Sequence, residues 1–166
     1  MEIRELLLPE FDIEMKKTRC TLERVPEGTP DYKPHDKSMS ICKLAGHLAQ
    51  LPTFAEKIVD LPGLDIGAGT MKPLIMESTE QLLSAFDSNV KLAREAIAKA
   101  DDATLQQPWK LTFQTKVIFD GNRYQLLRTL FLNHVIHHRA QLGVYLRLNN
   151  VPVPSVYGPS ADESVA

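Results

Sequence analysis

Apolar residues recur with helical period in four stretches of the chain, and turn-forming residues separate them. The first stretch runs from about Ile3 to Arg24, with Leu7, Phe11, Met15, Thr18 and Leu22 on one stripe. It stops at VPEGTPDYKP, where three prolines and a glycine prevent continuation. The second starts near Ser38 or Ser40, either of which can cap it, and runs towards Val59. Its stripe is Leu44, His47, Leu51, Phe54 and Ile58, and Pro52 inside it predicts a kink or a fresh helix start. The third covers about Ser78 to Ala100, with Leu82, Phe86, Val90, Ala93 and Ile97 aligned. The fourth, about Arg123 to Asn149, is the longest.

The segments between them read differently. DLPGLDIGAGTMKP is rich in glycine and proline and reads as a flexible loop. WKLTFQTKVIFDGN carries aromatic and β-branched residues that suit a short hairpin. The tail VPVPSVYGPSADESVA is non-helical. Four amphipathic helices without a parallel-strand pattern predict an all-α four-helix bundle, one domain over residues 1–166, with a short hairpin between helices three and four. The connections are longer than a minimal bundle needs, and such loops tend to shape a site.

Composition narrows the function classes. A formal net charge of -2 offers no basic face for nucleic acid or an anionic membrane. The start MEIRELLLPE lacks the basic and apolar regions of a signal peptide, and no stretch approaches the roughly 18 apolar residues of a membrane span. The two cysteines, Cys20 and Cys42, form no CxxC pair, and their scarcity favours a reducing cytoplasm. Cys42 lies five positions before His47, a spacing that accident readily produces.

The histidines change the picture. Of five in the chain, three fall within NHVIHHRAQL, residues 133–142. On the fourth helix the stripe Leu127, Phe131, His134, His138, Gln141, Tyr145, Leu148 faces a bundle core, with two histidines and a glutamine in its middle. His137 falls about 100° from His138, at the edge of that stripe. His47 sits within the apolar stripe of helix two. One inward histidine is ordinarily a core residue satisfied by a hydrogen bond. Three on two helices each need a polar partner, and one divalent cation held by His47, His134 and His138 satisfies all of them. Zinc or nickel suits three imidazoles, and no fourth ligand of a closed structural site is evident. The zincin motif HExxH fails because Val135 stands where its glutamate would, and no histidine follows a glutamate at the Glu-x-x-His spacing of di-iron bundles. Opposite the stripe, Thr129, Leu132, Ile136, Ala140 and Gly143 are small or apolar where an outer face should be charged. A homodimer across that face, or a cover from the chain's own tail, accounts for them.

KSMSICKLAGHLAQLP, NHVIHHRAQLGVYLRLNNVPVP and YGPSADE resemble segments of the DinB/YfiT-like family. The order of helices and loops covers nearly the whole chain, and Asn133 to Glu163 is the strongest match. The resemblance implies an up-down-down-up bundle, often a homodimer. It also implies a divalent metal on one histidine of helix two and an HxxxH pair of the last helix, here His47, His134 and His138. Ala140 stands where the motif commonly has glycine.

The resemblance implies several functions. Some relatives transfer a low-molecular-weight thiol, such as bacillithiol or mycothiol, to an electrophile, and a mycothiol-dependent isomerase shares the fold. The expected activity is metal-dependent thiol transfer to a small-molecule electrophile. The alternatives are a metal-dependent hydrolase and a non-catalytic metal- or ligand-binding protein of a stress response. His137, Gln141 and Tyr145 are candidates to orient nucleophile or substrate, with Tyr145 also reading as plain core. The loop from Asp60 to Pro73 and the YGPSADE segment are expected to frame the entrance.

Overall fold

A computed structural model describes residues 1–69 and 72–164. Helix α1 (Ile3–Leu22) buries Leu7, Phe11, Met15, Thr18 and Leu22, the stripe its period predicts. The second helical stretch divides into α2 (Ile41–Gln50) and α3 (Thr53–Asp60). Ser40 caps α2 by accepting from the Lys43 amide, and Pro52 provides the fresh start for α3. Helix α4 (Thr79–Lys99), capped by Ser78, packs on α1, α2 and α3.

The chain is mostly helical but not strictly all-α, because it contains a three-stranded sheet, two strands of which follow α4 and the short α5 (Asp102–Leu105). The expected hairpin forms from β2 (Pro108–Phe113) and β3 (Lys116–Asn122), paired antiparallel. Alternation puts Trp109 and Leu111 of β2 into the core, and the Trp109 ring N–H donates to the Leu61 carbonyl at 3.1 Å.

The third strand, β1 (Leu64–Asp65), lies in the segment that composition alone marks as a flexible loop. It pairs in parallel with Leu111 and Thr112. Asp65 Oδ1 accepts from the Gly67 amide at 2.8 Å and from the Gln114 amide at 2.9 Å, joining the loop to the hairpin turn. These bonds, invisible to composition, fix the loop's first half. Thr70 and Met71 of that loop lie outside the described residues.

The last helical stretch is continuous but not uniform. After α6 (Arg123–Leu126) comes a π-helical segment, Leu127–Leu132, and then α7 (Asn133–Leu148). The Asn133 amide bonds to Arg128 O, five residues back, so the segment is wound more loosely than an α-helix. That shifts the phase assumed in reading one 3.6-residue stripe. Leu132, expected on the outer face, is buried. Leu148, expected inside, is the last residue of α7 and 54% exposed. The fully buried line of α7 is Val135, Arg139, Leu142 and Leu146, one residue on from His134 and His138. His138 is buried beside that line, and His134 is half-buried at its edge.

Two buried arginines hold the helical layers together. Arg123 donates to the carbonyls of Val59 and Leu61 at 2.6 and 2.9 Å, satisfying orphan acceptors at the end of α3. Arg139 pairs with Glu14 of α1 at 2.6 Å, with both side chains buried.

Candidate metal centre

Helix α2 brings His47, and α7 brings His134 and His138, to one point between the two helices. Their nearest ring nitrogens all lie within 4.8 Å of one another. His134 Nε2 is 3.4 Å from His47 Nε2 and 2.8 Å from His138 Nε2. Among the described residues no Asp, Glu or Cys joins this group.

The opposite ring edges explain why the Nε2 atoms converge. His134 Nδ1 faces the Leu130 carbonyl at 3.2 Å, and a carbonyl can only accept, so that nitrogen carries the proton. His134 Nε2 is therefore a bare lone pair in the neutral ring. His138 Nδ1 faces Gln141 Oε1 at 2.7 Å, which sets the same tautomer. Two lone pairs 2.8 Å apart repel, and a third imidazole nitrogen stands nearby. A single cation removes the repulsion among all three. The donor set fits a divalent ion of the zinc or nickel kind, which favours imidazole nitrogen.

Electrostatics favour the same state. Burial, followed by the charges of His138 and His134, lowers the His47 pKa to about 4. Burial is also the leading cause that lowers His134 and His138. Neutral imidazoles have no proton to displace before they bind a metal.

Two openings reach the cluster. A cleft of about 620 Å³ reaches His47 and is walled by Leu51 and Phe54 of the α2–α3 layer, Ile66, and the segment from Lys72 to Ile75. A second, shallower depression is lined by Phe119, Asn133, His134 and His137. The segment from Asp60 to Pro73 thus does border the His47 opening, through Ile66, Lys72 and Pro73. The YGPSADE segment does not. Tyr157 donates to Glu14 and accepts from Arg139, each at 2.7 Å, which draws the tail across α1 and α7 instead.

The other residues singled out in the sequence separate into distinct positions. His137 is exposed at the rim, its ring 4.9 Å from that of His138. Tyr145 is buried, stacks edge-on against Tyr32, and donates to the Met39 carbonyl at 3.2 Å, so it positions the chain entering α2. Cys42 is buried, and burial raises its thiol pKa. Neither cysteine belongs to the histidine cluster. Sequence reasoning missed Arg139, Glu14 and Gln50. A charged residue inside an apolar helical stripe was the available signal for Arg139.

No helix among the described residues is long and apolar enough to cross a membrane. Comparison with known proteins adds a family. Over 160 residues the chain is 23% identical to the uncharacterised protein YrdA of Bacillus subtilis (strain 168), covering 94% of this chain and 89% of that protein. The solved structure of the DinB-like protein YjoA from Bacillus subtilis superposes with a TM-score of 0.71 at 20% identity, covering 91% of this chain and 97% of that one. A DinB-like protein from Bacillus cereus ATCC 10987 gives a TM-score of 0.72 at 19% identity, covering 94% and 98%. At such identities these structures establish a shared fold. The DinB family model matches residues 3–165, nearly the whole chain, and the protein therefore belongs to the DinB family.

Proposed function

We propose that this DinB-family protein binds one divalent metal ion, zinc or nickel, through His47, His134 and His138, and transfers a low-molecular-weight thiol to an electrophilic substrate. The observation that carries the reading is the convergence of three imidazole nitrogens, two of them held as bare lone pairs by acceptors on the far ring edges. Such an ion, when bound, lowers the pKa of a thiol or water at the site towards neutrality.

The chain's own groups favour sulfur over water. Among the described residues the cluster includes no carboxylate to act as general base for a hydrolytic water. It includes no cysteine either, so the sulfur comes from a cosubstrate. In the net reaction an S–C bond forms, the bond from carbon to the leaving group breaks, and the thiol proton departs with that group. His47 lines the cleft and can meet a substrate there, while Gln141 and Leu130 hold the other two rings in place. The same reading takes residues 1–166 as one four-helix, up-down-down-up domain that acts in the cytoplasm as a homodimer.

The test is turnover of a panel of electrophiles with several cellular thiols, with and without zinc or nickel. Conjugation that requires both metal and thiol is the expected result. Cobalt-substituted protein should change its visible spectrum on addition of the accepted thiol. If no thiol alters that spectrum while activated esters are cleaved, the protein is a hydrolase. If neither activity appears, it is a binding protein.

A further inference from the structure

We propose that the cleft beside His47 binds an amphipathic organic anion, its apolar body against Leu51, Phe54, Ile66 and Leu74 and its charge between Lys43 and Lys72. At about 620 Å³ the cleft matches the size of sites that enclose small organic molecules. Its walls are fixed from several directions. The Gln50 amide donates to the Lys72 carbonyl at 2.7 Å and accepts from the Leu74 amide at 2.8 Å, so one side chain clamps the loop wall onto α2. Gly46 allows the close approach, since a Cβ there would lie 2.0 Å from the Leu74 carbonyl oxygen. Tyr145 anchors the backbone of Met39, another lining residue.

The lining has two chemistries. Ile75 is 61% exposed and Met39 38%, large apolar side chains left in water at the mouth of a mostly apolar cleft. A ligand that covers them gains hydrophobic stabilisation. Lys43 and Lys72 are the charged residues lining the cleft, and among the described residues neither is in an ion pair. The adjoining depression shares Met39 and Lys43 with the cleft; its own Asp31 and Asp36 are matched in number by Lys33 and Lys37, so Lys43 is the excess positive charge on that side. An apolar body suits an electrophile better than a hydrophilic thiol. The assignment to the electrophile rests on the thiol-transfer reading; the binding site itself does not.

Calorimetric titration with 2-naphthylacetate and the uncharged 2-naphthylacetamide tests this, in nickel-loaded and in metal-free protein. The acetate should bind about tenfold more tightly than the amide at low ionic strength in both forms, the size expected of two charge-assisted contacts at partly solvated positions. Raising the salt to about 0.5 M should shrink the preference. The variant K43Q/K72Q changes only exposed side chains; it should lose the preference and keep the amide affinity. Ile75→Asp should weaken both probes at least fivefold. Equal affinities in the wild type, no binding of either probe, or a preference that survives K43Q/K72Q would overturn the proposal. Probe binding by a protein without transferase activity would refute thiol transfer alone. Conjugation of a neutral electrophile, indifferent to both lysines and to Ile75, would refute the anion site alone.

Discussion

Gln141 Oε1 lies 2.7 Å from His138 Nδ1, one turn along α7, and so decides which nitrogen of that ring faces His134. The glutamine is exposed and adds little to the core; its contribution is the tautomer and the ring angle. Replacing it with leucine should leave the fold intact and weaken nickel or zinc affinity about tenfold or more, as loss of such supporting contacts does elsewhere. Competition titration against a chromophoric chelator measures this. Unchanged affinity in Gln141→Leu would remove the glutamine from the site.

The histidines themselves should fall into two classes. His47→Ala and His134→Ala each delete one of the three converging nitrogens, and both should lose stoichiometric metal by elemental analysis. His138→Ala should behave alike and abolish metal-dependent turnover. His137→Ala changes an exposed ring outside the group and should cost far less affinity. If His47→Ala and His134→Ala both keep full affinity, the assignment is wrong.

Acid should destabilise the metal-free protein in a defined window. His47 is lowered to about 4 in the fold, while an unfolded histidine titrates near 6.5. Between those values the unfolded chain binds more protons than the native one, so stability present above about 6.5 falls as the pH drops towards 4. His134 and His138 are shifted in the same direction. Asp162, held low chiefly by Arg147, and Glu163, held low chiefly by the Ser155 amide, protonate at lower pH and act below that window. The urea midpoint of chelator-treated protein should therefore decline between pH 7 and pH 4.5, and His47→Gln should flatten the decline. A midpoint that stays level over that range would contradict the burial of neutral imidazoles.

The ion pair of Arg139 with Glu14 is buried, and Tyr157 bonds to both partners. Removing one charge strands the other, at a cost of about 3–5 kcal/mol. Arg139→Met and Glu14→Gln should each lower stability steeply, and the double variant should lose much less than their sum. A double-mutant cycle in urea reads the coupling; additive losses would mean that the network does not act as a unit.

What the sequence made legible follows from period. The stripes of α1, α2 and α4 repeat at 3.6 residues in uninterrupted helices, so Phe11, Leu44 and Phe86 are buried where counting places them. His47, His134 and His138 come together because counting works within α2 and within α7 separately. It fails across the π segment, which changes the angle per residue without any signal in composition, and Leu132 is misplaced as a result; Leu148 is exposed because it is the last residue of α7. β1 was hidden for another reason. Two residues have no readable period, and Leu64 and Asp65 owe their conformation to β2, almost fifty positions away.

The outer side of α7 carries the remaining prediction. Ile136, Ala140 and Gly143 border a cavity of about 440 Å³, and the tail covers it only in part through Val153, Val156 and Tyr157. Val144 is 58% exposed, Leu148 54% and Tyr157 65%, so an apolar surface persists after the tail has docked. A two-fold contact between copies of this chain would cover each patch with its own equivalent. Ile136→Glu places a carboxylate in the middle of that surface, where pairing would bury it twice without a partner. Sedimentation analysis should find a dimer for the wild type at micromolar concentration and monomers for Ile136→Glu, with the helical circular dichroism of the two unchanged. Monomers in the wild type, or dimers that persist in the variant, would show that two-fold pairing does not cover this face.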